Sequence, residues 1–298
     1  MISHKFEGLT NGETYYTKVF TANPNGRVNN REDVPAVSCV PSSFPGEPTE
    51  YVLIDTITES TTFTAPEDGW YQIELFGASG SGGNSDFIGA ARGDAERFAS
   101  SVSGGGGGSG ALATSIVPLK KGDSILLDSL AVGETATATI TSGYDSSYNH
   151  TMTCVSGGNG GNADANYFGP DRCTVGSGGT GGTATGGNVT NINGNKGTSG
   201  TFLNVMSKNE EEQGDYSEYY GSSTPYCMRY GSSYYSPKYN NGGAGGTAAE
   251  SGCRVGGMGG GIKFEYQSEY SFMASSVSAG SGSTAYMKIY RGNTNVVA

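Results

Sequence analysis

Helical patterning, positive charge, histidine and long apolar runs are all scarce in this chain, and each scarcity removes a class of protein. No window repeats apolar residues at i, i+3, i+4 and i+7, so an all-β fold is expected. Lys and Arg number 17 against 28 Asp and Glu, a net charge of -11. Phosphate binding needs basic side chains to displace counterions, so neither nucleic acid nor an anionic lipid surface is an expected partner. No stretch approaches the ~20 apolar residues of a membrane helix. The opening MISHKFEGLTNGETYY has no apolar signal core, so export by a signal peptide and membrane insertion are not expected. Histidine occurs only at His4 and His150, and the five cysteines form no CxxC pair, which argues against zinc. No cofactor is expected, and no GxxxxGK[ST] phosphate loop occurs. The odd cysteine count leaves at least one thiol free; a Cys227–Cys253 bridge is compatible with the sequence but not dictated by it.

Glycine, by contrast, supplies 51 of 298 residues. It falls in runs at Gly104–Gly108, Gly157–Gly161, Gly176–Asn188, Gly242–Gly246 and Gly256–Gly261, many in the frame G-G-x. A period of three matches the extended left-handed helix that turns once per three residues. Rods of this kind, bare on two positions of three, can approach until backbone N–H meets backbone C=O, and only glycine permits that approach. The third residue, often Thr, Asn, Ala or Met, is then expected on the rim. Ordering glycine costs about 1–2 kcal/mol per residue and a hydrogen bond returns about 1, so the bundle is expected to be clamped by flanking apolar strands. The competing reading is that the runs are flexible loops.

Strand patterning accompanies the glycine. Trp70–Phe76 places Tyr71, Ile73 and Leu75 on one face, and Ala285–Tyr290 places Ala285, Met287 and Ile289 together; Ala111–Leu119 and Ser124–Leu130 repeat the alternation. Pro41-Ser42-Ser43-Phe44-Pro45-Gly46-Glu47-Pro48, with three prolines in eight residues, marks a linker over 41–50 between an N-terminal unit, 1–40, and the remainder, 51–298. In the first unit, Leu9-Thr10-Asn11-Gly12-Glu13-Thr14-Tyr15 followed by Tyr16–Arg27 resembles the last three strands of a fibronectin type III module. The resemblance makes Tyr15 the tyrosine-corner residue, and similar modules occur in bacteriophage tail and bacterial surface proteins.

In the second unit, Phe63-Thr64-Ala65-Pro66-Glu67-Asp68-Gly69-Trp70–Gly80, with Gly104–Thr114 and Val117–Asp123, resembles the glycine-rich domains of phage tail fibres and of the anaplastic lymphoma kinase receptors. That resemblance spans most of residues 55–292. It implies an antiparallel, jelly-roll-like β-sandwich carrying polyglycine II helices, and the fibronectin-like start favours the phage side. The implied role is a receptor-binding, host-attaching region of a tail fibre or tail-tip protein. Its implied location is the virion tail, and its implied partners are a bacterial surface polysaccharide or protein and other tail proteins, with a homo-oligomer, commonly a trimer. The alternatives are a structural tail or cell-surface module without a ligand, and an extracellular ligand-binding domain.

One segment carries the composition of a binding surface. Within 209–241, Tyr216, Tyr219, Tyr220, Tyr226, Tyr230, Tyr234, Tyr235 and Tyr239 stand among Ser, Gly and Asn. Tyrosine gives large, stiff contact area with a polar tip, and small neighbours let it adapt. These eight are the expected ligand-binding residues of a long surface loop; packing on the glycine rods or on a neighbouring subunit is the alternative. Arg92-Gly93-Asp94 is a triplet of the kind that glycine-rich sequence produces by chance. Catalysis is not expected. Asp123 and Asp128 do not converge, His150 lacks a recognisable nucleophile elbow, and Asp215 and Glu218 lie in an acidic stretch.

Overall fold

The computed structural model describes residues 14–18, 36–39, 47–92, 96–165, 174–206, 238–268 and 271–293. Strands β1 (Tyr15–Thr17) and β2 (Val37–Cys39) pair antiparallel, with Tyr15 opposite Cys39. The chain continues through β3 (Tyr51–Ile57), β4 (Thr61–Thr64) and β5 (Gly69–Phe76), then the antiparallel pair β6 (Asp86–Arg92) and β7 (Glu96–Val102). Next come β8 (Leu112–Leu119), β9 (Ser124–Asp128), β10 (Thr135–Thr141), a single 3-10 turn at Ser146–Tyr148, and β11 (His150–Val155). Strands β12 (Ala184–Thr185), β13 (Thr190–Ile192), β14 (Phe202–Met206), β15 (Lys238–Asn240), β16 (Gly261–Ser268), β17 (Ser271–Val277) and β18 (Tyr286–Gly292) complete it. The described strand pairings are all antiparallel, as expected for an all-β chain.

Two five-stranded sheets, β13-β8-β5-β18-β3 and β12-β11-β10-β9-β4, form a β-sandwich. The period-two pattern works as the sequence requires. Tyr71, Ile73 and Leu75 of β5 and Met287 and Ile289 of β18 are fully buried, with Ala285 beside them. They meet Ile125 and Leu127 of β9, Ala138 and Ile140 of β10 and Met152 of β11 in one core. Burial of such aliphatic side chains contributes about 1.5–3 kcal/mol each, and this core is the main apolar reservoir of the molecule.

Between the sandwich strands the chain forms eight extended rods, at 77–84, 103–111, 155–163, 174–183, 193–201, 241–248, 253–260 and 278–285, here rods 1 to 8. Rod 2 lies at the centre. Its successive N–H groups from Ser103 to Gly110 donate to Thr201, Gly260, Gly161, Thr198, Gly257, Gly158, Asn195 and Arg254. The acceptors thus cycle through rods 5, 7 and 3, one neighbour per residue and a full turn every three. Its carbonyls at Ser103, Gly104 and Gly105 accept from Gly176, Gly243 and Gly83, so rods 4, 6 and 1 fill the remaining three sides. The six neighbours close a ring: Gly157→Ala78, Gly158→Thr180, Gly197→Gly179, Thr198→Ala244, Gly259→Gly243 and Gly257→Gly80 bond each to the next. Rod 8 lies outside the ring against rods 1 and 7, through Ser79→Ser283 and Gly280→Met258.

Positive φ among the described glycines is confined to Gly122, Gly133, Gly186 and Gly252. The rods therefore have the negative-φ, three-per-turn geometry of polyproline II. At ~3.1 Å per residue, rod 2 is about 25 Å long. Its backbone is its packing surface: a Cβ on Gly106 would stand 2.0 Å from the carbonyl oxygen of Ala244. On the outer rods the third residue does face solvent, as at Asn159, Thr180 and Ala244, and at Met258, which is 64% exposed. The flexible-loop reading fails for these runs, because their inward-facing backbone groups bond from rod to rod along each run.

Candidate functional site

The rods give the molecule two ends. Rods 1, 3 and 5 leave strands β5, β11 and β13 of the sandwich, and rods 2, 4 and 8 run into β8, β12 and β18. The turn between rods 6 and 7 also sits on the sandwich, where the Tyr286 hydroxyl donates to Gly252 O at 2.7 Å. Every opposite rod end therefore points away from the sandwich. That distal end carries two three-stranded sheets, β14-β7-β6 and β15-β16-β17. Rods 1 and 2 are joined there through β6 and β7, rods 7 and 8 through β16 and β17, and rods 5 and 6 by the chain from β14 to β15. Between rods 3 and 4, Asp164 and Thr174 form an isolated bridge.

Seven of the expected binding tyrosines, Tyr216, Tyr219, Tyr220, Tyr226, Tyr230, Tyr234 and Tyr235, lie outside the described residues. The eighth, Tyr239, is a strand residue rather than a loop residue: it belongs to β15, opposite Lys263 of β16. Asn241, the expected end of that loop, opens rod 6. Arg92 ends β6, and Gly93 and Asp94 lie outside the described residues.

The two distal sheets meet at a buried amide. Asn240 is 3% exposed. Its Nδ2 donates to Ser101 O at 3.0 Å, Ser101 Oγ at 2.9 Å and Thr201 O at 3.2 Å. Its Oδ1 accepts from Thr201 Oγ1 at 2.6 Å. Thr201 N in turn donates to the buried Ser103 Oγ at 2.6 Å. Nothing in the local sequence marks this residue; an Asn-Asn-Gly-Gly run reads as a turn.

A serine–histidine pair, also missed from sequence, lies inside the sandwich. Ser115 Oγ and His150 Nε2 are 2.8 Å apart, His150 Nδ1 lies 2.8 Å from Tyr148 O, and Asn188 N donates to Ser115 Oγ at 3.2 Å. Ser115 is fully buried, so its oxygen has no face open to an acyl group. The pair ties β8 to β11 across the sandwich.

Shifted acidities are sandwich features as well. Burial pushes the Cys154 thiol up to about 12, and burial followed by Glu47 raises Tyr51 to about 12. Burial likewise raises Tyr71, Tyr286, Tyr290 and Cys253. Cys253 is a free thiol packed with Phe76, Leu112 and Tyr286, not half of a bridge. Among the described residues no group of three or more His, Cys, Asp or Glu is placed to hold a metal ion, and no helix is long and apolar enough to cross a membrane. No protein-family model matches the chain, and no curated protein matches it.

Proposed function

We propose that this chain is the receptor-binding region of a phage tail fibre or tail-tip protein, and that its distal end attaches to the bacterial surface. The supporting observation is the seven-rod ring-and-core arrangement. It holds the ends of the Tyr-rich segment, at β14 and β15, on a stiff base directed away from the sandwich. A rigid base lets a surface segment bind with less ordering entropy. Tyr216, Tyr219, Tyr220, Tyr226, Tyr230, Tyr234, Tyr235 and Tyr239 supply the contact chemistry. The ligand is a cell-surface polysaccharide or protein, the act is binding without bond cleavage, and no metal or cofactor takes part. The preceding unit is the end of a fibronectin type III module, and the working assembly is a homo-oligomer, which raises weak contacts by avidity.

Fluorescently labelled protein mixed with a panel of bacterial strains tests this. Adsorption to a subset of strains is expected. Replacing Tyr219, Tyr220, Tyr234 and Tyr235 with alanine is expected to lower it at least about tenfold, since each buried aromatic anchor contributes 1 kcal/mol or more. No adsorption to any strain, or unchanged adsorption by the quadruple variant, overturns the reading.

A further inference from the structure

Both ends of the Tyr-rich segment pass through one polar cluster, in which Asn240 and Ser101 are buried and Thr201 is exposed. Thr201 is the last residue before β14, where the chain leaves rod 5, and Asn240 is the last residue of β15, where it enters rod 6. Thr201 Oγ1 donates directly to Asn240 Oδ1 at 2.6 Å. Ser101, at the end of β7, accepts from Asn240 Nδ2 through both its carbonyl and its hydroxyl. Here the chain changes period. A rod bonds to a different neighbour at each residue, whereas a strand bonds to one partner at alternate residues. At that junction Thr201 O already accepts from Ser103 N of the central rod, and the Asn240 amide, with two donors and an acceptor, adds a further bond to it and reaches the Thr201 and Ser101 hydroxyls as well. An apolar side chain of the same size would fill the volume but forfeit these bonds between the two sheets.

We infer that Asn240, with Thr201 and Ser101, is the positioning residue of the distal end: a clasp that fixes the spacing of β14 and β15. It touches no ligand. It sets where the binding segment leaves and rejoins the rods, and in that respect the inference rests on the function proposed above. A buried, fully satisfied amide specifies one arrangement where apolar contacts would tolerate several.

The test compares Asn240→Ala, Thr201→Val and Thr201→Ser with the unaltered chain by amide exchange and by cell adsorption. In Asn240→Ala and Thr201→Val, exchange at 203–206 and 238–240 is expected to rise about tenfold or more, the scale of one lost buried hydrogen bond. Exchange at 104–108 in the central rod is expected to stay unchanged, and adsorption to fall. Thr201→Ser keeps the hydroxyl and is expected to keep the slow exchange. Equal acceleration in the strands and the central rod would make the cluster merely part of the rod packing and overturn the inference. So would unchanged exchange in the strands. Failure of the unaltered chain to adsorb would instead overturn the binding function, while the exchange data still decide the clasp. Should Asn240→Ala not fold, Thr201→Val removes only the hydroxyl that bonds Asn240 Oδ1, keeps the side chain's shape and gives the same reading.

Discussion

At the scale of single residues, the molecule divides glycines that are required from side chains that are tolerated. Gly106 sits in the central rod, and a methyl group there would meet a backbone carbonyl at 2.0 Å, an atom that cannot rotate away. Relief requires neighbouring rods to separate, which breaks the bonds that hold them. Gly106→Ala is therefore expected to destabilise at the upper end of overpacking, about 3 kcal/mol or more. Met258→Ala, on a rim position, is expected to stay within about 0.5 kcal/mol. Denaturant unfolding of both variants checks the contrast, and equal losses would contradict it. Buried acids set a second expectation. The Cys154 thiol, with an ordinary value of 9.0, is held up to about 12, and Tyr51, ordinarily 10.0, is also held up to about 12. Above its ordinary value each group ionises in the unfolded chain but stays protonated in the folded one, so the folded state binds more protons and stability falls as pH rises. Their contribution is complete below pH 9 and is lost towards pH 12. Thermal midpoints measured across that window are expected to drop steeply, and a flat profile would refute the burial of these groups.

Elements differ in how much of them the sequence reveals, and the differences have physical causes. Strands β5 and β18 are legible because one face is fully buried and the other is not, which leaves a period-two pattern in Tyr71, Ile73 and Leu75 and in Met287 and Ile289. Rods 2, 3, 4, 6 and 7 are legible because their glycines run together. Rods 1, 5 and 8 are not. Rod 5 has glycine only at Gly194, Gly197 and Gly200, since an outer rod needs a bare backbone only where it faces its neighbours. Asn195 and Thr198, between them, are exposed. The distal strands stayed hidden for another reason. The switch from period three to period two is decided by where the neighbouring rods end, and that is a tertiary fact. Asn240 shows the same thing at its sharpest, because its burial depends on Ser101, 139 positions away. The Ser115–His150 contact joins strands of opposite sheets, 35 positions apart, and no local motif announces it.

The whole molecule is two unlike solids sharing one chain. The sandwich is held by apolar burial, and the rods chiefly by backbone hydrogen bonds, with Ser, Thr and Asn side chains adding bonds between neighbouring rods. Glycine loses about 1–2 kcal/mol of backbone entropy per ordered residue, and each bond returns about 1, so the rods have no surplus with which to fold separately. Their register comes from the strands they join: rod 1 continues β5, rod 2 enters β8, and rod 8 enters β18. The rods should therefore melt when the sandwich does. Ile73 is fully buried in the sandwich core and belongs to none of the rods. Ile73→Ala is expected to cost about 2–5 kcal/mol. If the two parts are coupled, the fluorescence of Trp70 in the sandwich and the amide protection of Gly104–Gly108 in the central rod shift together to a lower midpoint. Rods that stayed protected at a temperature where Trp70 had already reported unfolding would show that the glycine bundle is stable by itself. In that event the sandwich would be an appendage, and the stiffness of the distal end would need no apolar anchor.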